Sequence, residues 1–251
     1  MELEKTHNVR DLGGAYTEDG REVSYRKIVR SANLINISSA DNQKLYDYGI
    51  RTVIDLRSVD EVQNDPDNIQ IAGINYVNIP IFKLSETDAA HHSQNRVKSG
   101  YQQMMIEYTE LVTSEFSQRA YRQIFDIFLA NSAAGQSVLY HCLGGKDRTG
   151  IVSLLFLGAL GVNQDQIFAD YYYTNFVSCK IIKQAFTEAK AHQASRQALL
   201  DLESFMTAKK TYFDRMNDLV TQAGGAQSYL INQVGLSRLD LQKLQQLYLQ
   251  D

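Results

Sequence analysis

The sequence is poor in residues that lock a chain covalently or stiffen its backbone, with two cysteines and two prolines among 251 residues. Cys142 and Cys179 cannot supply the disulfide framework of a small secreted domain, so free thiols in a reducing compartment are expected. The longest apolar run, IVSLLFLGALGV, is about 12 residues and too short to span a bilayer. No signal peptide is visible in the polar N-terminal stretch. We therefore expect a cytoplasmic protein with no integral membrane segment.

The sequence also lacks a large excess of charge of either sign, since the formal net charge is −4 at pH 7 and the isoelectric point is about 5.8. Such a chain has no general attraction for nucleic acid or for an anionic membrane surface, so any phosphate binding must be local. No nucleic-acid partner is expected. A content of 44% apolar residues supports a sizeable core. Because no repeat or low-complexity linker interrupts the chain, a single domain over residues 1–251 is predicted.

Short β-rich runs alternate with helical stretches in the first part of the chain. Three runs have the composition of buried strands: residues 51–58, 74–81 and 137–142. A helix capped by Ser38 or Ser39 and stopped by Gly49 precedes the first run. Two more helices, broken near Ser114, are predicted within residues 97–131. Such alternation favours an α/β fold with a mainly parallel central sheet flanked by helices.

From Thr149 onward the pattern is almost purely helical. Asn163 and Ser237 stand where helix N-caps are expected. The sequence therefore predicts a helical C-terminal extension, at about residues 164–251, packed on the sheet.

The stretch HCLGGKDRTG, from His141 to Gly150, joins the third predicted strand to the helix that follows it. Gly144 and Gly145 can adopt the positive φ angles that turn successive N–H groups inward. Together with the helix N-terminus, those N–H groups form a site for a tetrahedral oxyanion. The same donors favour the thiolate form of Cys142.

Two further side chains complete this cradle chemically. Arg148 brings a permanent positive charge on a planar fork that grips two phosphate oxygens. Thr149 offers a hydroxyl to the sulfur or to a phosphorylated intermediate. A nucleophile beneath a phosphate cradle predicts two-step hydrolysis through a phosphocysteine. No metal or organic cofactor is expected, because the loop itself supplies the charge.

The fold places other polar residues near the loop, because parallel strands end at the same edge of a sheet. Asp55 and Arg57 end one predicted strand and Cys142 ends another. The reaction also needs a group that protonates the leaving oxygen. The candidates are Asp147 in the loop, Asp55 on the neighbouring strand, and then Asp88 and Glu86 after the second strand.

Other readings of the loop fit less well. A nucleotide-binding loop needs the pattern GxxxxGK[ST], but Gly145-Lys146 is followed by Asp147. A zinc site lacks paired cysteines, and His91-His92 lies in a polar stretch. A buried structural cysteine before a glycine turn leaves the Cys-x5-Arg spacing unexplained.

These residues resemble the signature of the cysteine-dependent phosphatase superfamily, His-Cys-x5-Arg followed by Ser or Thr. The longer form from His141 to Gly150 occurs here with HNVRDLGG (residues 7–14) and DLRS (residues 55–58). Together they look like the bacterial tyrosine phosphatase family that includes the secreted mycobacterial and listerial enzymes. The resemblance is scattered over most of the chain, but its sharp motifs cover a small part of it.

The resemblance implies a phosphatase acting on phosphotyrosine, sometimes on phosphoserine or phosphothreonine, and on phosphoinositides. It implies that Cys142 is the nucleophile, that Arg148 binds the phosphoryl group and that loop amides form the cradle. The substrate-binding residues expected on this basis are Leu143, Gly144, Gly145, Lys146, Thr149, Arg57 and His141. The expected partner is a phosphorylated protein or a phosphoinositide.

Lys146 and Asp147 match loop positions of myotubularin-type lipid phosphatases, in which the loop aspartate serves as the acid. The resemblance therefore favours Asp147 over Asp55. Dual-specificity relatives usually carry an aspartate soon after the strand that corresponds to residues 74–81. This chain departs from that pattern, since no acidic residue follows until Glu86.

Secondary expectations concern residues around the loop. His141 is expected to hold the loop backbone rather than to transfer protons. Arg10 and Asp11 either reach the crevice or anchor the N-terminal segment by ion pairing. Cys179, inside a helical stretch, is expected to be a buried small hydrophobe.

Two alternative functions remain open at this point. A sulfurtransferase would use Cys142 as a persulfide carrier, but it would leave Arg148 and Thr149 without an obvious task. A phosphate-recognition pseudophosphatase would bind its ligand without turnover, which the presence of both Cys142 and Arg148 argues against.

Overall fold

The structure, a computed structural model, describes residues 1–82 and 99–250. Its strands are β1 (Arg10–Asp11), β2 (Glu22–Val23), β3 (Ile28–Ser31), β4 (Ile50–Asp55), β5 (Asn75–Asn78), β6 (Ser137–His141) and β7 (Leu249–Gln250). Its α-helices are α1 (Ser39–Tyr48), α2 (Val59–Asn64), α3 (Gly100–Thr113), α4 (Glu115–Ala130), α5 (Asp147–Leu160), α6 (Gln164–Val177), α7 (Cys179–Ala191), α8 (Arg196–Met206), α9 (Lys210–Gln222), α10 (Gly225–Tyr229) and α11 (Arg238–Tyr248). A π-helical turn, Leu230–Val234, links the last two helices.

The central sheet has the strand order β1-β3-β6-β4-β5. Strand β1 runs antiparallel to β3, and every other pair in this sheet is parallel. The predicted α/β class with a mainly parallel sheet is therefore confirmed. In the register of the sheet, His141 lies opposite both Ser31 and Asp55. The carboxyl ends of three strands thus meet where the Cys142 loop begins.

Local hydrogen bonds explain where the first helix begins and ends. The Ser38 side chain accepts from the Asp41 amide, and the Asp41 carboxylate accepts from the Ser38 amide. Gly49 ends the helix with φ of 110°, a conformation that favours glycine. The predicted helix with these caps is confirmed.

The predicted break at Ser114 is also confirmed, because this residue ends α3 and caps α4. The first two predicted strands are longer than the strands observed. Strand β4 stops at Asp55, since Ser58 already caps helix α2 by accepting a hydrogen bond from the Glu61 amide. Strand β5 covers only Asn75–Asn78 of the predicted 74–81.

Helix α5 runs from the loop into the middle of the molecule. Its sequence is apolar on every side, and most of its residues are buried. It contacts α3 and α6 as well as α10 and α11. This packing fixes the N-terminus of α5, and with it the positions of Asp147, Arg148 and Thr149.

The C-terminal part differs from the prediction in two respects. It is not purely helical, because β7 pairs with β2 and returns the chain end to the N-terminal segment. The prediction that Cys179 is buried is wrong: this residue is exposed and begins a helix with no buried residue. Within the part of the chain that the structure describes, no helix has the length and apolar character needed to cross a membrane.

Candidate active site

The loop after β6 has the tight backbone that its glycines permit. Cys142 is only 2% exposed. Gly145 has φ of 64°, and a Cβ at this position would lie 2.4 Å from the Ser31 carbonyl oxygen. Only glycine avoids both the strain and the clash. The expectation of a positive φ holds for Gly145 but not for Gly144, whose surroundings are open.

The carbonyl groups of this loop are held by side chains from the N-terminal segment and β3. The Asn8 amide donates to the carbonyl oxygens of Gly144 (3.0 Å) and Gly145 (2.8 Å). Arg30 Nη2 also donates to the Gly145 carbonyl at 2.7 Å. Among the described residues, the N–H groups of 143–146 have no hydrogen-bond partner. Asn8 and Arg30 therefore hold the carbonyl groups of the loop in place, and the N–H groups of the loop are available to bind an anion.

Arg148 is held in a fork-to-fork pair by Glu61. Its Nη1 lies 2.5 Å from Oε2 and its Nη2 lies 2.9 Å from Oε1 of that carboxylate. Burial opposes the charge on Arg148, but the Glu61 hydrogen bonds and the charge of Cys142 outweigh it and raise the pKa of the guanidinium. The Arg148 cation is thus held beside Cys142.

Glu61 is itself fixed by the start of helix α2. Its Oε2 accepts from the Ser58 amide at 2.8 Å, and the Ser58 hydroxyl accepts from the Glu61 amide. Burial would raise the pKa of Glu61, but its bonds to Arg148 outweigh burial and lower it. Sequence reasoning missed Glu61, although the Ser58-x-x-Glu61 capping box directly after a strand was a readable signal.

Asp55 lies beside the loop in a fully buried cluster, with none of its side chain exposed. Arg57 donates to it through Nε at 3.0 Å and Nη2 at 2.7 Å, and the Tyr76 hydroxyl donates at 2.7 Å. Burial opposes the charge on Asp55, but the Arg57 bonds and the nearby His141 outweigh burial and lower its pKa. Hydrogen bonds from these donors favour the ionised form of Asp55.

The Arg57 guanidinium is likewise engaged by residues of this cluster, which differs from the expectation that it binds substrate. It pairs with Asp55, and its Nη2 also lies 2.9 Å from Oδ1 of Asp67, while Nη1 donates to the Asp65 carbonyl. Its side chain is fully buried. The guanidinium neutralises two carboxylates that would otherwise repel each other.

His141 occupies the other side of this cluster. Its Nε2 lies 2.7 Å from Oδ2 of Asp67. Its Nδ1 lies 3.2 Å from the Cys142 carbonyl oxygen. Burial would lower the pKa of His141, but Asp67 and then Asp55 outweigh burial and raise it. These contacts fit a residue that holds the loop backbone.

The ligand atoms of Asp55, Asp67 and His141 lie within 4.8 Å of one another, a spacing that a metal ion could bridge. The Arg57 guanidinium, however, already contacts both carboxylates, at 2.7 and 2.9 Å. The cation that this cluster requires is therefore a side chain of the same chain.

Lys146 and Asp147 adjoin the cradle on its other side. Lys146 Nζ donates to the carbonyl oxygens of Phe205 (2.7 Å) and Thr207 (3.2 Å), at the negative end of helix α8. The amine is thus engaged by main-chain oxygens, which differs from the expected contact with substrate. It also lies 3.3 Å from Oδ1 of Asp147, whose side chain is 28% exposed.

Asp147 receives a second contact from helix α3, because the Tyr108 hydroxyl donates to its Oδ1. Glu107, the residue before Tyr108, interacts electrostatically with Asp147 and Arg148. Burial, and then the charge of Asp147, raises the pKa of Glu107. Thr149, next along helix α5, is fully buried, and its hydroxyl has no hydrogen-bond partner among the described residues.

The N-terminal motif anchors its own segment rather than entering the crevice. Arg10 and Arg30 each place a guanidinium nitrogen 2.5 Å from a different oxygen of Asp170. Asp11 accepts from the amides of Gly13 and Arg26, both at 2.7 Å. Of the two roles considered for Arg10 and Asp11, the structure shows anchoring.

Residues 1–250 match the profile of the tyrosine phosphatase family. The chain belongs to this family. A putative tyrosine-protein phosphatase of Cupriavidus necator is 35% identical over 169 residues, which are 67% of this chain and 60% of that protein. A tyrosine-protein phosphatase of Nostoc commune is 29% identical over 150 residues, 57% of this chain and 46% of that protein. The chain thus spans well under two thirds of both relatives.

The triple specificity protein phosphatase PtpB of Mycobacterium tuberculosis is 31% identical over 195 residues, covering 66% of this chain and 69% of that protein. The resemblance to the bacterial tyrosine phosphatases is therefore confirmed.

The expected site residues fall into two groups in space. Cys142, Arg148, Thr149 and the loop glycines line one cradle, with Asp147 at its side. Asp55, Arg57 and His141 form a separate buried cluster behind it. The remaining candidates, Glu86 and Asp88, and the pair His91-His92 lie outside the described residues.

Proposed function

We propose that the chain hydrolyses phosphate monoesters, with Cys142 as nucleophile and a phosphocysteine as intermediate. One observation carries this proposal: Glu61 holds the Arg148 guanidinium in a bidentate pair, close enough to Cys142 to interact with its charge. A fixed cation beside a buried thiolate suits the binding of a dianionic phosphoryl group. The unpaired N–H groups of the loop supply further donors for its oxygens.

In the first step, the Cys142 thiolate attacks phosphorus as the bond from phosphorus to the ester oxygen breaks. Arg148 and the loop amides hold the equatorial oxygens, whose charge increases in the transition state. Asp147 donates its proton to the departing oxygen, which leaves as an alcohol or phenol. We assign this role to Asp147 rather than Asp55, because Asp55 is fully buried and bound by Arg57 and Tyr76.

In the second step, water attacks the phosphocysteine and the phosphorus–sulfur bond breaks. The Asp147 carboxylate takes a proton from that water, so that inorganic phosphate forms and the thiolate returns. The Thr149 hydroxyl, buried and without a partner among the described residues, is assigned to the sulfur as it departs.

Phosphotyrosine in proteins is the proposed main substrate, with phosphoserine or phosphothreonine and phosphoinositides as further substrates. The family match supports the first. The name triple specificity protein phosphatase, borne by a relative 31% identical to this chain, supports testing a wider range. We further propose that residues 1–251 form one phosphatase domain, since helices of the C-terminal part pack against α3 and α5.

The first test compares wild type with Cys142→Ser on para-nitrophenyl phosphate, a phosphotyrosine peptide, a phosphoserine peptide and short-chain phosphoinositides, each with a chelator present. Cys179→Ser is the matched control, since Cys179 is the exposed second cysteine. We expect chelator-resistant turnover that Cys142→Ser abolishes and Cys179→Ser leaves intact. Acid quenching of wild type during turnover should trap phosphate on Cys142.

Other outcomes would replace the proposal. Phosphate binding without turnover on any substrate would indicate a recognition module. Sulfur transfer from thiosulfate by wild type, lost in Cys142→Ser, would indicate a sulfurtransferase.

A further inference from the structure

The Tyr108 side chain links helix α3 to the proposed acid. Its hydroxyl donates to Oδ1 of Asp147 and lies 2.7 Å from the hydroxyl of Tyr171. Tyr108 is fully buried, and Tyr171 is only 2% exposed. The Tyr108 ring stacks on Tyr212 at 5.0 Å between centroids, which restricts its motion. Both hydroxyls therefore occupy defined positions in a dry part of the core.

The number of available protons fixes the direction of these hydrogen bonds. A tyrosine hydroxyl has one proton, and the proton of Tyr108 goes to the Asp147 carboxylate. The Tyr108 oxygen must then accept from Tyr171 in the contact between the two hydroxyls. Burial, and then the charge of Asp147, raises the pKa of both tyrosines well above the ordinary value. Both tyrosines consequently remain neutral hydrogen-bond donors at the pH values at which the site is active. The hydrogen bonds run from Tyr171 through Tyr108 to Asp147.

These two hydrogen bonds have a geometric consequence for Asp147. The Tyr108 hydroxyl fixes Oδ1, whereas Oδ2 has no hydrogen bond with the described residues. The carboxyl group thus keeps one oxygen anchored and presents the other to the cradle.

We propose that Tyr108, supported by Tyr171, is a positioning residue that sets the orientation of the Asp147 carboxyl group. The inference rests on the proposed function, in which Asp147 donates a proton to the leaving oxygen. Tyr108 acts through Asp147 and does not touch the reacting atoms.

The test uses Tyr108→Phe and Tyr171→Phe, with Tyr121→Phe as a matched control. Tyr121 is also fully buried and donates to a carbonyl, that of Leu111, in the last turn of α3. The rate would be measured from pH 4 to pH 9 with para-nitrophenyl phosphate and with phenyl phosphate, whose leaving group needs the proton more.

For Tyr108→Phe we expect the ratio of kcat with para-nitrophenyl phosphate to kcat with phenyl phosphate to rise, because a displaced acid slows the poorer leaving group more. With phenyl phosphate, kcat should fall about tenfold at the optimum, and less with para-nitrophenyl phosphate. Tyr171→Phe should act in the same direction but more weakly. Tyr121→Phe should leave the profile and the ratio of the two substrates unchanged.

A double-mutant cycle separates positioning from general support of the fold. In an Asp147→Asn background, Tyr108→Phe should cause no further loss, since the group it positions is already gone. Full additivity of the two changes would overturn the inference. So would a wild-type ratio of the two substrates in both tyrosine variants, and Tyr171→Phe is the deciding variant if Tyr108→Phe does not fold.

Failure of the proposed function has a different signature. If the Cys142→Ser variant still hydrolyses substrate, the proposed nucleophile is wrong. If Asp147→Asn keeps the wild-type preference between the two substrates, the assignment of Asp147 as proton donor is wrong. Either result removes the basis of the inference. If both of those variants behave as expected and only the tyrosine variants resemble wild type, the inference alone is wrong.

Discussion

Two carboxylates, those of Asp55 and Asp147, lie beside the Cys142 loop, and they differ in burial and in hydrogen-bond partners. Asp55 belongs to a buried cluster with Arg57, Tyr76 and His141, and none of its side chain is exposed. Asp147 stands at the N-terminus of helix α5 with 28% of its side chain exposed. Each is adjacent to the cradle in the fold, so proximity alone does not choose between them.

The difference lies in what each carboxylate is bonded to. Asp55 accepts several hydrogen bonds from Arg57 and Tyr76, which hold it ionised and lower its pKa. Asp147 accepts a hydrogen bond from the neutral Tyr108 hydroxyl on Oδ1, which also lies 3.3 Å from Lys146 Nζ, and its Oδ2 accepts no hydrogen bond from the described residues. A proton donor needs an oxygen that can meet the substrate, and only Asp147 has one. The comparison supports the proposal that Asp147 acts in the chemistry and that Asp55 supports the structure.

The largest effect should come from Asp147→Asn. We expect kcat with phenyl phosphate to fall by about 10² to 10⁴-fold, the usual contribution of a general acid, with a smaller fall for para-nitrophenyl phosphate. The midpoint of urea unfolding should change little, because the residue is partly exposed. Glu107→Gln serves as the companion variant, since Glu107 is the nearby carboxyl with a raised pKa. A larger loss in Glu107→Gln than in Asp147→Asn would move the acid to helix α3.

Asp55→Asn should act mainly on stability. Removing one partner of a buried pair leaves the Arg57 charge uncompensated, at a cost of about 3–5 kcal/mol in the free energy of unfolding. Urea unfolding followed by circular dichroism would measure this loss. The control is Asp126→Asn, which breaks an exposed pair with Arg122 and should cost less than about 1 kcal/mol. Equal losses for the two variants would contradict the structural role of Asp55.

Glu61→Gln tests the third carboxylate of the site, which holds Arg148. A loosened guanidinium should reduce kcat/KM by about 10 to 10²-fold, since small displacements of a positioning group have effects of this size. Glu115→Gln, in an exposed pair with Arg119, should leave kcat/KM unchanged. Unaltered kinetics in Glu61→Gln would mean that the cradle holds Arg148 without help.

The smallest effect concerns acid pH. The pKa values of Asp55 and Asp170 are lowered in the folded chain by their arginine partners, against the opposing effect of burial. The stability that they contribute is therefore complete above the ordinary carboxylate pKa of about 4 and decreases as pH falls below it. Urea midpoints at pH 7, 5, 4 and 3 should show this decrease. Asp55→Asn should flatten it, and a steeper decrease in that variant would contradict the assignment.

The sequence allowed three of the five strands of the central sheet and several helix boundaries to be predicted, because those depend on local patterns, whereas β1 and β3 were missed. Caps at Ser38 and Ser237 and the break at Ser114 follow from side-chain bonding within one turn. The cradle followed from the spacing of Cys142 and Arg148.

What the sequence could not show was the partner of each charged group. The Arg57 guanidinium is engaged by an ion pair with Asp67, which lies ten residues later in the sequence. Lys146 is occupied by carbonyls about sixty residues further along the chain. Cys179 looks buried in a helical sequence, but its helix has no buried residue. Such pairings depend on tertiary contacts that no local pattern encodes.

The most direct test of the central claim is the pH dependence of kcat for wild type, Asp147→Asn and Asp55→Asn under conditions where all three are folded. If Asp147 donates the proton, the alkaline limb disappears in Asp147→Asn and persists in Asp55→Asn. An alkaline limb that survives in Asp147→Asn, or that is lost only in Asp55→Asn, would contradict the account.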